Sequence, residues 1–142
     1  MKCPKTLITD SERPALPFEK CLAKTWNDGS ILCGRTVQEH CMIAGSIAEI
    51  LVSIFNNLVL NLLPTESFIP ALLHDIGKIC PTFQAKLWIA IIGRDNVRKE
   101  KPELAGIDPK VETSWNGHAT VSGSALKEMG APESLVQITG SH

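Results

Sequence analysis

The sequence predicts an all-α fold in one domain. Apolar residues recur three and four positions apart over long stretches, as they do on helices that bury one face. Proline and glycine divide the chain at places that suit helix starts and ends. Alternation of apolar and polar residues, the pattern of a strand, is almost absent. A chain of 142 residues is long enough to bury a single core, and one core is what we expect.

The positions of proline and glycine define where the predicted helices begin and end. The predicted helices cover residues 36–62, a stretch from 66–70 to 77, residues 81–93, residues 118–129 and a short final stretch from about 132. Pro64 ends the first, Gly77 caps the second in a left-handed conformation, and Pro81 occupies the first turn of the third. Residues 1–35 are expected to be mostly irregular, with a turn of helix within 18–26. The charged stretch 94–117 is expected to be a loop or mobile flap.

Composition excludes some function classes. With 14 basic and 15 acidic side chains, the net charge of -1 provides no basic field to hold nucleic acid by bulk charge alone. The five cysteines are an odd number and form no CxxC pair, so the sequence indicates neither a disulfide framework nor a zinc knuckle. We therefore expect a reducing cytoplasm as the location.

One apolar run is long enough to suggest a membrane segment. Residues 43–63 contain Glu49 and three asparagines, which hydrocarbon would penalise heavily. No secretory signal peptide precedes the run. The sequence therefore predicts no membrane association.

The chain has four histidines, and each falls in or at the end of a different predicted helix. They are His40, His74, His118 and His142. Helical spacing places His40 on the same stripe as Ala44, Ile47 and Leu51, so we expect it to be buried or to face a cleft.

The segment ALLHDIGKICPTFQ, residues 71–84, places a histidine and an aspartate side by side. Neighbouring helical residues point about 100° apart, so His74 and Asp75 can both reach one cation at a helix edge. The second oxygen of Asp75 could bridge to another ion. Taken singly, each histidine is more often a hydrogen-bonded core residue than a ligand, and Lys78 would ordinarily be a solvated cation near a helix end. His142 would ordinarily be an exposed terminal residue or part of a tag.

Five blocks of the sequence resemble a known family. They are LAKTW (22–26), VQEHCMIAGSIAEIL (37–51), ALLHDIGKICPTFQAKL (71–87), NGHATVSGSALKE (116–128) and ITGSH (138–142). The HDIGK block resembles the HD metal-dependent phosphohydrolase superfamily. Together the blocks resemble, more narrowly, the HD nuclease domain of CRISPR-associated type I nuclease-helicase proteins, and GK followed by PTFQ discriminates best.

This resemblance implies a helical bundle with a metal site in its core, and metal-dependent degradation of single-stranded DNA. It assigns His40, His74 and Asp75 to a first metal, and His118 and His142 to a second that Asp75 bridges. Asp75 and Lys78 are the implied catalytic residues, with Lys78 beside a phosphate. Imidazole ligands favour Mn, Ni, Co or Fe, with Zn also compatible, over Mg, which prefers oxygen. Bound cations would also supply the positive charge that the net charge lacks.

The implied partners are single-stranded DNA, a helicase domain or separate helicase subunit, and a CRISPR surveillance complex in antiviral defence. We expect a monomer. Family members continue with a second histidine after the one matched by His142, and with a later aspartate. We therefore expect residues 1–142 to be a single HD-type nuclease domain that is truncated at the C-terminus.

Two other functions stay open at this point. An HD-type nucleotide phosphohydrolase would use His40, His74 and Asp75 with one metal, in a closed pocket that recognises a base. A non-catalytic docking module for a helicase or surveillance complex would need no metal chemistry. Trp115, three residues before His118, is the aromatic residue that we expect to be able to stack on a base.

Overall fold

The structure is a computed structural model, and it describes residues 15–55 and 68–141. Four predictions therefore lie wholly or partly outside the described residues: irregular structure in residues 1–14, the helix beyond residue 55 with its stop at Pro64, the beginning of the second helix near 66, and His142 as a metal ligand.

Helices dominate the described part of the chain, as the all-α prediction requires. They are α1 (Val37–Ile54), α2 (Phe68–Leu73), α3 (Pro81–Ile92), α4 (Arg94–Glu100), α5 (Val111–Ser114), α6 (Gly117–Glu128) and α7 (Glu133–Gly140). The starts of α1, α3, α6 and α7 agree with the prediction within one residue. Gly93 and Gly130 follow α3 and α6 with φ of +83° and +77°, a conformation in which glycine avoids the steric penalty of a side chain.

The N-terminal arm contains a short hairpin that the sequence analysis missed. Strand β1 (Thr25–Asn27) pairs antiparallel with β2 (Ile31–Cys33), and Gly29 lies in the turn with a φ of +79°. Strands of three residues are too short to show a clear alternation. The turn of helix expected within 18–26 is a 3-10 turn at Phe18–Lys20, so the prediction was correct for that part of the arm.

Helix α1 begins with a capping box. The Thr36 hydroxyl accepts from the backbone N–H of Glu39, and the Glu39 carboxylate accepts from the backbone N–H of Thr36. These bonds satisfy two backbone donors and fix the start of the helix that carries His40. Within the described ranges, α1 is also the helix long and apolar enough to cross a membrane by length and composition, a test that core helices of soluble proteins also pass.

The buried face of α1 differs from the prediction. Val37, Cys41 and Gly45 are buried, whereas Ile47 and Leu51 are 52% and 48% exposed. The predicted inward stripe was therefore wrong at those two positions. The buried side of the helix is instead the side that packs against the N-terminal arm, through Cys21 and Ala23, and against Leu72 of α2.

Gly77 does not cap a helix in the left-handed conformation, and that prediction was wrong. Helix α2 ends at Leu73, and Gly77 lies inside a 3-10 turn, Ile76–Ile79, with a φ outside the positive range. A Cβ atom at this position would collide with the backbone carbonyl oxygen of His118 and with the backbone nitrogen of Ser122. Glycine is required there because α6 approaches the turn so closely.

The predicted flap at 94–117 is largely ordered structure, so that prediction was wrong too. The stretch contains α4, a 3-10 turn at Pro102–Leu104, and α5. Val97 and Leu104 are buried at 2% and 3% exposure, and the Lys101 ammonium lies 4.0 Å from the centre of the Trp88 ring. These buried side chains anchor the segment to the rest of the fold, while most of its charged residues are exposed.

Candidate metal centre

Three separate parts of the fold bring four side chains to one place. Helix α1 contributes His40, the turn after α2 contributes His74 and Asp75, and the first turn of α6 contributes His118. The Nε2 atoms of His40 and His74 lie 2.8 Å and 3.1 Å from Oδ2 of Asp75. Nε2 of His118 lies 3.2 Å from the other oxygen, Oδ1.

Asp75 is at the centre of this arrangement. Its side chain is 4% exposed, and its Oδ2 also accepts from the Lys78 ammonium at 2.7 Å. Each of the three histidine side chains is 29% exposed. The carboxylate is therefore buried while the imidazoles around it border solvent, so the centre opens at the protein surface.

The His74 ring is oriented by the backbone. Its Nδ1 lies 2.7 Å from the carbonyl oxygen of Ala71, which can only accept a hydrogen bond. Nδ1 therefore carries the proton in this contact. In the neutral imidazole this leaves the lone pair on Nε2, the atom that faces Asp75.

Ser122 joins the turn that carries Asp75 to α6. Its fully buried hydroxyl accepts from the backbone N–H of Gly77 at 2.8 Å, and donates to the carbonyl of His74 or of His118, at 3.0 Å and 3.1 Å. The Ser122 hydroxyl therefore lies within hydrogen-bond distance of the backbone of both histidines.

Gln84 joins the same region to the N-terminal arm. Its Oε1 accepts from the Leu22 N–H at 2.8 Å, and its Nε2 donates to the carbonyls of Leu22 and Lys78 at 2.8 Å and 2.7 Å. The side chain is fully buried, and these bonds satisfy its oxygen and both of its amide protons. The glutamine of the PTFQ segment thus fixes the backbone of Lys78.

Burial shifts the pKa values of two ionisable groups at this centre. It lowers the pKa of His40, an effect that the Asp75 carboxylate partly offsets, so His40 favours the neutral form that binds metals. Burial and, next, the Asp75 charge raise the pKa of the Cys41 thiol. Cys41 therefore favours the protonated thiol in the metal-free chain.

Three residues at this centre were not assigned a role from the sequence: Ser122, Gln84 and Glu112. Glu112 is 5% exposed, and its Oε1 lies 3.7 Å from Nδ1 of His118. Gln84 lies in the PTFQ segment, which was a signal in itself. Ser122 lies in the block 116–128 that resembles the family, whereas Glu112 lies in none of the five blocks, and a glutamate looks the same in sequence whether it is buried or solvated.

The donor set fits a divalent cation. One ligand atom each from His40, His74 and Asp75 lies within 4.8 Å of the others, so the three side chains converge on one place. Two imidazoles and a carboxylate suit first-row transition metals. His118 lies outside this three-residue set but contacts the same carboxylate through its other oxygen.

Comparison with known families gives one match. The family model of the Cas3 HD domain matches residues 63–142, more than half of the chain. The chain belongs to the Cas3 HD family. Neither the curated proteins nor the solved structures yield a match. Membership in the Cas3 HD family indicates an HD-type, metal-dependent hydrolase of CRISPR systems, and the cluster of His40, His74 and Asp75 could hold its metal.

Proposed function

We propose that this chain is a nuclease that hydrolyses phosphodiester bonds of single-stranded DNA, with a divalent transition metal held by His40, His74 and Asp75. The observation that carries the proposal is the buried Asp75 carboxylate, whose two oxygens face different imidazoles. Burial of a carboxylate costs free energy, and a cation bound between this carboxylate and the imidazoles would offset that cost. We propose His118 as a ligand on the Oδ1 side, together with His142.

The residues around the cation would each have a defined task. A bound divalent cation supplies Lewis acidity and lowers the pKa of a water molecule. Asp75 would hold it, and neutral imidazoles of His40 and His74 would complete its protein ligands. Lys78 donates a hydrogen bond to Asp75. If Asp75 binds a cation instead, the Lys78 ammonium would be able to donate to a phosphate oxygen of the substrate.

The shape of the site supports a polymeric substrate. A strand of DNA can reach a centre whose imidazoles border solvent, whereas a nucleotide hydrolase would enclose its substrate. Trp115 is 39% exposed and lies three residues before His118, where it could stack on an unpaired base. We propose single-stranded DNA as the substrate for these reasons.

The cellular role proposed here extends the family assignment. It comprises interference against foreign DNA in a type I CRISPR system, in the cytoplasm, with a helicase domain or subunit that supplies single strands. We also propose that residues 1–142 form one HD-type domain.

Circular single-stranded DNA provides the test, because only an endonuclease can open it. The wild-type chain should degrade the circle with Mn, Ni or Co, and more slowly with Mg. Asp75→Asn should abolish degradation, whereas Asp95→Asn, at an exposed aspartate outside the site, should retain it. Parallel reactions with deoxynucleoside triphosphates distinguish the alternatives. Nucleotide hydrolysis without loss of DNA would favour a nucleotide phosphohydrolase. Loss of linear but not of circular single strands would indicate an exonuclease, and inactivity on all of these substrates in every metal would favour a docking module.

A further inference from the structure

Within the described residues, two carboxylates are buried, and both flank the same imidazole. Asp75 lies at the Nε2 side of His118 and Glu112 at the Nδ1 side, with separations of 3.2 Å and 3.7 Å. Acidic side chains are almost never fully buried unless they are paired. The position of Glu112 therefore calls for an explanation that a solvated helix residue would not need.

The chain turns between Glu112 and His118. Helix α5, which carries Glu112, ends at Ser114, and Asn116 and Gly117 follow with φ of +62° and +83°. This left-handed pair turns the chain so that the first turn of α6 places His118 next to Glu112. The Phe83 ring meets the His118 ring edge-on, with centroids 5.3 Å apart, and so limits how the imidazole can rotate.

A neutral imidazole has one N–H donor and one lone pair. When a cation lies between Nε2 and Asp75, Nε2 must offer its lone pair, so the proton lies on Nδ1, where the Glu112 carboxylate favours it. Nε2 is the atom directed at Oδ1 of Asp75. A histidine that binds a metal is commonly held in this way by a carboxylate at its other nitrogen, which also strengthens it as a ligand.

We propose that Glu112 is a positioning residue for this centre: it holds His118 with Nδ1 protonated and Nε2 directed at a cation on the Oδ1 side of Asp75. This inference rests on the proposed metal-dependent function. It adds a residue that acts on the metal through His118, without touching metal or substrate.

Metal affinity tests the proposal independently of activity. Calorimetric titration of the metal-free chain with Mn²⁺ or Zn²⁺ should show that Glu112→Ala weakens binding about 10- to 100-fold. Glu112→Gln keeps an oxygen that can accept from Nδ1–H, so its loss should be smaller. Glu128→Ala, at an exposed glutamate on α6, is the matched control and should bind like wild type. Circular dichroism checks that each variant is folded, and the glutamine variant preserves the test if the alanine variant is not.

A double-mutant comparison separates positioning from general structural support. If Glu112 acts through His118, then adding Glu112→Ala to a His118→Ala chain should change metal affinity by less than about twofold. An additive loss in the double variant would overturn the proposal, and so would wild-type affinity in both Glu112 variants.

The two proposals fail in different ways. If the wild type degrades DNA but loss of Glu112 leaves metal affinity unchanged, this inference fails and the nuclease function stands. If Glu112 and His118 are coupled in metal affinity but no metal supports DNA hydrolysis, the nuclease function fails and this inference stands. If the wild type binds no divalent cation, both fail.

Discussion

Gly77 and Ser122 show how single residues fix the geometry around Asp75. The missing side chain of Gly77 lets α6 approach the turn that contains Asp75, and the Ser122 hydroxyl then bonds the Gly77 N–H across that contact. The close contact between the turn and α6 therefore needs both the absence of a side chain at Gly77 and the hydroxyl group of Ser122. Changing either should disturb folding and metal binding together.

Gly77→Ala should destabilise the chain by about 3 kcal/mol, because the new Cβ would meet backbone atoms of α6 that cannot move independently. Gly140→Ala is the matched control, since its Cβ would meet Gly123 at 3.5 Å, an ordinary contact, and should change stability by less than about 0.5 kcal/mol. Urea unfolding measures both. Equal midpoints for the two variants would show that α6 does not lie this close to the turn.

Ser122→Ala should cost about 1–3 kcal/mol, because the buried Gly77 N–H would lose its acceptor. Ser124→Ala, two residues along the same helix and exposed, should be nearly neutral. The comparison by thermal or urea unfolding isolates the hydrogen bond from any change in helix propensity. A neutral Ser122→Ala variant would contradict the role assigned to this hydroxyl.

At the scale of elements, the sequence was informative where residues punctuate helices. Pro81, Gly93 and Gly130 placed the ends of two helices correctly, because their backbone restrictions act locally. The hairpin was missed because its strands have only three residues each. Helix α4 and the buried face of α1 were missed because each depends on what packs against it. The side of α1 that is buried follows from the arm and α2, which helical periodicity does not report.

The same distinction applies to the candidate site. The HDIGK motif pointed to His74 and Asp75, and helix placement and the family resemblance pointed to His40 and His118. Their convergence on one carboxylate is a property of three packed elements. Glu112 was not found because the Asn116-Gly117 pair indicates a turn but does not show that the turn brings Glu112 next to His118.

Gln84 is the residue that ties elements together, since it bonds the arm to the start of α3 and to the backbone of Lys78. Gln84→Leu should destabilise the chain by at least about 2 kcal/mol, because it leaves the buried Leu22 N–H without its acceptor. Gln137→Leu, at an exposed glutamine on α7, should be close to neutral in the same urea titration. Similar stabilities for the two variants would argue against this link.

At the scale of the whole molecule, we expect the free energy of unfolding to depend on pH and on metal binding through the residues of this centre. Burial lowers the pKa of His40 in the folded state below the ordinary value of 6.5. The unfolded chain therefore binds a proton at a higher pH than the folded chain does. The contribution of neutral His40 to the free energy of unfolding is fully present above about pH 6.5, and it is lost as the pH falls through the pKa of His40 in the folded state.

The metal-free wild type should accordingly lose stability as the pH falls below about 6.5, and His40→Gln should lose less over the same interval. Urea unfolding at several pH values, with a chelator present, measures both slopes. Identical slopes would show that His40 is not held neutral by burial. Because a metal requires the neutral imidazole, cation affinity should fall in the same pH interval.

The most direct test of the central claim, that His40, His74, Asp75 and His118 form one metal centre, is X-ray absorption spectroscopy of the chain loaded with Ni²⁺ or Co²⁺. The account predicts a first shell of nitrogen and oxygen at about 2.0–2.2 Å with the outer-shell scattering of at least two imidazoles, and a loss of that scattering in His40→Ala and His74→Ala. A shell of water oxygens alone, or a spectrum unchanged by these substitutions, would contradict it.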